Sequence, residues 1–138
     1  MLKVELDRQL MVRVEDHPGA LAKMIETISS SGINILAVCA YSVDSTAAFM
    51  FVTDDNNATR KLLEDKQYKI SEEEVVVVTI PNKPGALQEV TDTIAQFNVD
   101  LCLMYGSVDK SSETSRIVMI AKSNLDLMMI LKQRFGRH

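Results

Sequence analysis

The hexapeptide Asp16-His17-Pro18-Gly19-Ala20-Leu21 recurs 66 residues later as Asn82-Lys83-Pro84-Gly85-Ala86-Leu87, and this repeat constrains the fold more than any other feature. Each copy follows a short apolar run, Leu10 to Val14 or Val75 to Ile80, and each opens an amphipathic segment. The chain therefore runs from strand through tight polar loop into helix, twice. A length of 138 residues then divides into two units, expected at 1–71 and 72–138, rather than filling one larger domain. A glycine at such a corner permits close approach, and the N–H groups of a helix start lack acceptors within the helix. A small anion is the natural occupant.

Composition narrows the class. With 46% hydrophobic and 25% charged residues the chain can bury a core. A formal net charge of −4, with no basic run longer than two residues, argues against nucleic acid or an anionic membrane as partner. No apolar stretch reaches membrane-spanning length, and Met1-Leu2-Lys3-Val4-Glu5 lacks the apolar core of a signal peptide, so a cytoplasmic location is expected. Cys39 and Cys102 lie in apolar runs at non-equivalent repeat positions and read as small buried hydrophobes. His17 and His138 are the two imidazoles, too few for a histidine-rich metal centre. No metal and no cofactor is expected.

Leu2 to Leu6 alternates apolar and polar residues as a half-buried strand, and a second strand spans about Gln9 to Glu15. Leu21, Met24, Ile25 and Ile28 then share one face of a helix in which Pro18 suits the first turn and Ser29 to Gly32 supplies the stop. Ile33 to Val43 reads as a strand with both faces fairly apolar. Asp44-Ser45-Thr46 turns into a strand over Ala47 to Thr53, and Asp54-Asp55-Asn56-Asn57 caps a helix around Ala58 to Lys66 with Leu62 and Leu63 inward. Tyr68-Lys69-Ile70 begins another strand.

The second copy repeats this order. A strand over Val75 to Ile80 is followed by a helix facing inward through Leu87, Val90, Ile94 and Phe97, a strand from Val99 to about Val108, a strand from Ser115 to Ala121 and a helix from about Asn124 to Phe135. Each unit is βαββαβ, the ferredoxin-like order of the α+β class, with antiparallel sheets and helices on one face. The second unit lacks its last strand after the final helix. Leu2-Lys3-Val4 aligns with Tyr68-Lys69-Ile70 at the repeat offset, so the N-terminal strand is expected to serve as the fourth strand of the second unit, or both fourth strands to be exchanged.

With these motifs in place, the sequence resembles the ACT family of small regulatory domains, in tandem. The resemblance rests on Asp16-x-Pro18-Gly19-Ala20-Leu21 with Gly32-Ile33-Asn34-Ile35, and on Asn82-x-Pro84-Gly85-Ala86-Leu87 with Asn98-Val99-Asp100-Leu101, and it spans essentially the whole chain. It implies two units side by side in an eight-stranded sheet, with small effectors, commonly amino acids, held at interfaces between units. Carried over, the ligand loops are Asp16, His17, Pro18, Gly19, Ala20, Leu21 and Asn82, Lys83, Pro84, Gly85, Ala86, Leu87. The opposing strand starts are Asn34, Ile35, Leu36 and Asp100, Leu101, Cys102. The loops differ in charge: Lys83 either favours an acidic ligand group or extends into solvent, and one site can be vestigial. His17 is either a neutral ligand-facing group or an exposed loop residue.

Other candidates have plainer readings. Glu72-Glu73-Glu74 point alternately to opposite sides of an extended segment and read as a solvated linker edge. Asp54 to Asn57 lacks the later glycine and glutamate of a calcium loop. Met104, Met119, Met128 and Met129 serve as core or as an adaptable partner surface. No catalytic Ser-His-Asp context, phosphate-gripping glycine loop or arginine in either βα loop is present, so no catalytic residue is assigned. Exposed aromatic pairs for RNA are also missing. The expectation is a non-catalytic regulatory protein that binds an amino acid and forms a homodimer, free-standing or as regulatory subunit of an amino-acid biosynthetic enzyme such as acetolactate synthase. A structural interaction module with decayed ligand sites, or a small enzyme with an unfamiliar site, are the competing readings.

Overall fold

The computed structural model describes residues 3–107 and 110–136. Six strands and four helices alternate as β1 (Lys3–Glu15), α1 (Ala20–Ser29), β2 (Ile35–Val43), β3 (Thr46–Thr53), α2 (Asn56–Asp65), β4 (Ile70–Pro81), α3 (Ala86–Gln96), β5 (Leu101–Ser107), β6 (Thr114–Ala121) and α4 (Asn124–Phe135). The strands form one α+β sheet in the order β2-β3-β1-β4-β6-β5, in which β1–β3, β2–β3, β4–β6 and β5–β6 pair antiparallel. Val108, Asp109 and His138, which the sequence placed at a strand end, a turn and the terminus, lie outside the described residues.

Two strands are longer than the sequence pattern suggested. Asp7-Arg8 does not interrupt β1, and the three glutamates do not form a linker but lie inside β4. The reason is visible in the contacts, which divide the chain into one compact unit of Arg8–Glu73 and another made of the residues through Asp7 together with Glu74 onward. The leading part of β1 thus belongs with the second half of the chain. Val4 is buried there beside Val76, Val78, Val90, Ile94, Met119, Leu127 and Leu131. The glutamates are tolerated mid-strand because Glu72 finds cations: its carboxylate accepts from Arg8 Nε at 2.9 Å and lies 4.0 Å from Arg60.

In the Arg8–Glu73 unit the core is Val12, Ala20, Met24, Ile28, Ala47, Phe49, Phe51 and Leu63, with Leu21, Ile25, Tyr68 and Ile70 packed at its edge. The 3.6-residue spacing of Met24 and Ile28 gives α1 this inward stripe. In the other unit Val90 and Ile94 are buried as expected, but Leu87 is 41% and Phe97 49% exposed. Both sit at the ends of α3, Leu87 on its first turn and Phe97 at its C-cap. Cys39 is half-buried and Cys102 exposed, contrary to the reading of both as buried, because β2 and β5 are the outer strands and only one of their faces is covered. Of the four methionines singled out in the second half, Met119 is buried and Met128 half-buried, while Met104 and Met129 are exposed.

The second helices are capped by side chains. Asp55 accepts from the Ala58 N–H at 3.0 Å and Ser123 from the Asp126 N–H at 3.3 Å. Asp55 is thus the cap, while Asp54 Oδ1 accepts from the Asn34 N–H at 3.1 Å just before β2.

Candidate functional site

The two repeated loops are built alike. Pro18 and Pro84 precede their helices by a turn rather than lying inside them, and Gly19 and Gly85 stand at the N-cap with φ of 86° and 89°. That left-handed backbone is open to glycine and strained for other residues. A Cβ on either glycine would meet no atom within 4 Å, so the corner is open on its outer side. Each loop is tied to a hairpin turn of its own unit: Asp16 N–H donates to Ser45 O at 2.8 Å, and Asn82 N–H donates to Glu113 O at 2.9 Å.

The helix starts carry the donors. Ala20 N–H turns back to His17 O at 3.2 Å, and the first bond inside the helix runs from Lys23 N–H to Gly19 O at 3.0 Å. Leu21 and Ala22 therefore lie on the first turn with N–H groups that have no acceptor within the helix. In the second copy the corresponding bonds join Ala86 to Lys83 and Glu89 to Gly85, which leaves Leu87 and Gln88 in the same position. Neither α1 nor α3 has a side-chain cap, in contrast to α2 and α4. The positive end of the helix dipole adds to the attraction for an anion.

Within a unit, the sequence-derived site residues do not converge. The end of β1 is level with the β2–β3 turn, since Glu15 pairs with Thr46, whereas Ile35 pairs with Thr53 at the other end of β3. The nine residues of β2 put Asn34, Ile35 and Leu36 roughly 25 Å from the Asp16–Leu21 loop along the strand. Asp100, Leu101 and Cys102 lie likewise at the far end of β5 from Asn82–Leu87, with Leu101 paired to Ala121. His17 is exposed, its Nδ1 3.1 Å from Pro18 O. Lys83 and Asn82 are exposed, and the Asn82 amide donates to Ser112 O at 2.9 Å.

What the fold brings beside the second loop was not foreseen. A cavity of 240 Å³ is lined by Ile80, Pro81, Asn82, Lys83, Ala86, Leu87, Gly106, Ser115 and Ile117. The exposed Leu87 is thus accounted for as a cavity wall. Phe97 has a similar explanation: with Asp100, Lys122, Asp126 and Met129 it lines a groove of 390 Å³ at the other end of the unit. A third hollow of 420 Å³ lies over Gly32, Asp54 and Leu62. The sequence signal for the 240 Å³ cavity was available in the repeat, where Gly106 and Ile117 replace Ala40 and Phe49.

Among the described residues no group of three or more histidine, cysteine or acidic side chains is arranged to hold a metal ion, and no helix is long and apolar enough to cross a membrane.

No protein-family model matches the sequence, and no curated protein does. Solved structures do. A protein of Bacteroides thetaiotaomicron superposes with a TM-score of 0.87 at 22% identity, over 95% of this chain and 90% of that one. The ligand-free regulatory subunit of aspartate kinase from Thermus thermophilus gives 0.67 at 15% identity, over 98% and 97% of the two chains. That from Thermus flavus gives 0.63 at 16%, over 97% and 96%. At these identities the shared property is the fold.

Proposed function

We propose that this chain, which has the ACT-domain fold, is a regulatory protein that binds a small carboxylate-bearing metabolite, in the first instance an amino acid. The contact points are the loops Asp16–Leu21 and Asn82–Leu87. The observation that carries the reading is the pair of glycine-cornered helix starts that lack side-chain caps. Both present main-chain donors to the outside, where a carboxylate can accept them.

The strand starts Asn34–Leu36 and Asp100–Cys102 are too far from the loops of their own unit to complete a site with them. In this proposal a neighbouring unit supplies the loop that faces them, so that ligand held at the loop touches both units. Ligand then bridges two units and favours one packing over another, which is regulation by population shift. A homodimer, working in the cytoplasm, is the simplest such assembly. The regulatory subunits among the structural neighbours support an output delivered to a catalytic partner in trans. No residue is assigned a catalytic role.

The test is a thermal-shift panel of the twenty amino acids. A ligand at 100 times its dissociation constant adds about 2.7 kcal/mol, enough to raise the melting temperature by several degrees. One or a few amino acids are expected to do so; a flat panel contradicts the proposal.

A further inference from the structure

We infer that the second loop is the one equipped to hold a ligand within its own unit, and that it reads the carboxylate and the apolar body of that ligand while leaving an amino group unread. The inference rests on the proposed function for the class of site and adds which copy is used and which part of the ligand is recognised.

The two copies differ beneath the loop. In the first unit Ala40 pairs with Phe49, and both Ala47 and Phe49 are buried in the core with Ala20. In the second, Gly106 pairs with Ile117, and Ser115 pairs with Ile80 as Ala47 does with Val14. Ser115 and Ile117 are half-exposed, whereas Ala47 is 3% and Phe49 5% exposed. The phenyl ring buried in the first unit is thus exchanged for a smaller side chain, and Ile117 lines the 240 Å³ cavity. Gly106 is fixed by close packing, because a Cβ there would come within 2.5 Å of Ile117 Cδ1 and 2.8 Å of Arg116 O. The cavity is smaller than a typical pocket for drug-sized ligands and suits a molecule of amino-acid size.

The walls define the chemistry. Ile80, Pro81, Leu87 and Ile117 offer apolar surface, and Lys83 is the one charged side chain among the described lining residues. Ser115 adds a hydroxyl, and the Asn82 amide is already donating to Ser112 O. An ammonium taken from water needs a carboxylate or several oxygen acceptors. No carboxylate lies in this wall among the described residues, the Glu113 side chain included. A small monocarboxylate with an uncharged apolar body satisfies the cavity, its carboxylate between Lys83 and the open Leu87 N–H and its body against the Leu87 and Ile117 side chains. An α-ammonium, where present, stays in the open mouth.

Calorimetric titration of the whole protein with leucine and valine and with their 2-oxo counterparts, 4-methyl-2-oxopentanoate and 3-methyl-2-oxobutanoate, tests this. At least one pair is expected to bind with its two members within about threefold of each other. Lys83→Gln, at an exposed position, is expected to weaken both by about tenfold. Ile117→Phe, which installs the side chain of the first unit, is expected to remove both. An amino acid bound more than about tenfold tighter than its 2-oxo partner overturns the inference and leaves the proposed function standing. Affinity retained in both variants also overturns it, because the ligand then sits elsewhere. Failure of all four compounds, together with a flat amino-acid panel, overturns both.

Discussion

Asn124 joins β4 to the far end of β6: its Nδ2 donates to the Glu74 carbonyl at 2.8 Å while its Oδ1 accepts from the Ala121 N–H at 2.8 Å. Asn56 does the same in the other unit, donating to Arg8 O at 2.8 Å and accepting from Thr53 N–H at 3.2 Å. Arg8 and Glu74 are the residues at which β1 and β4 enter the units they start. One carboxamide per unit therefore ties the entry of the first strand to the start of the second helix. Asparagine suits the task because it carries a donor and an acceptor on one planar group.

Asn124→Ala removes both bonds and leaves a strand carbonyl and an N–H to find other partners. The expected cost is about 1–3 kcal/mol, read from chemical denaturation. Asn124→Asp keeps the acceptor and loses the donor, so its cost is expected to fall between wild type and alanine. Equal stability of all three proteins contradicts the assignment.

Val4 makes the N-terminal strand part of the second unit. Val4→Ala is expected to cost about 1–3 kcal/mol, and deletion of residues 1–7 more. Hydrogen exchange locates the effect: α3 and α4 are expected to lose protection before α1 and α2 do. Loss confined to residues 8–73 is the contradicting result.

Gly85→Val places a β-branched residue in the left-handed region. Since no atom obstructs the new Cβ, the expected penalty of about 1–3 kcal/mol is one of backbone conformation. Gly19→Val behaves likewise. Each variant is expected to weaken ligand stabilisation at its own loop, and retained affinity in both places the ligand elsewhere. Gly85→Asn, better suited to positive φ, is expected to be milder.

Much of this molecule was legible in the sequence, and the gaps have physical causes. The Pro-Gly corners announced both helix starts, because positive φ and a missing N–H restrict which residues can stand there. The periodicity of Met24 and Ile28, and of Val90 and Ile94, located the inward faces. Leu87 and Phe97 fit the same period yet are exposed, since periodicity reports direction around a helix and says nothing of what lies opposite its end turns. Cys102 was misjudged for a related reason: an outer strand looks as apolar as an inner one. The unbroken β1 and β4 were hidden by Asp7-Arg8 and by Glu72 to Glu74, which read locally as interruptions. Arg8 and Glu72 in fact pair with each other across the strands. That long-range partner, 64 positions away, is what no local pattern contains.

The central claim, that a ligand carboxylate is held by open main-chain donors at a glycine corner, is tested most directly by amide NMR during titration with whichever compound stabilises the protein. The Leu87 and Gln88 amide resonances are expected to move with ligand in the wild type and to stay in place in Gly85→Val. Saturable shifts confined to residues away from both helix starts, with Leu21, Ala22, Leu87 and Gln88 unmoved, would contradict it.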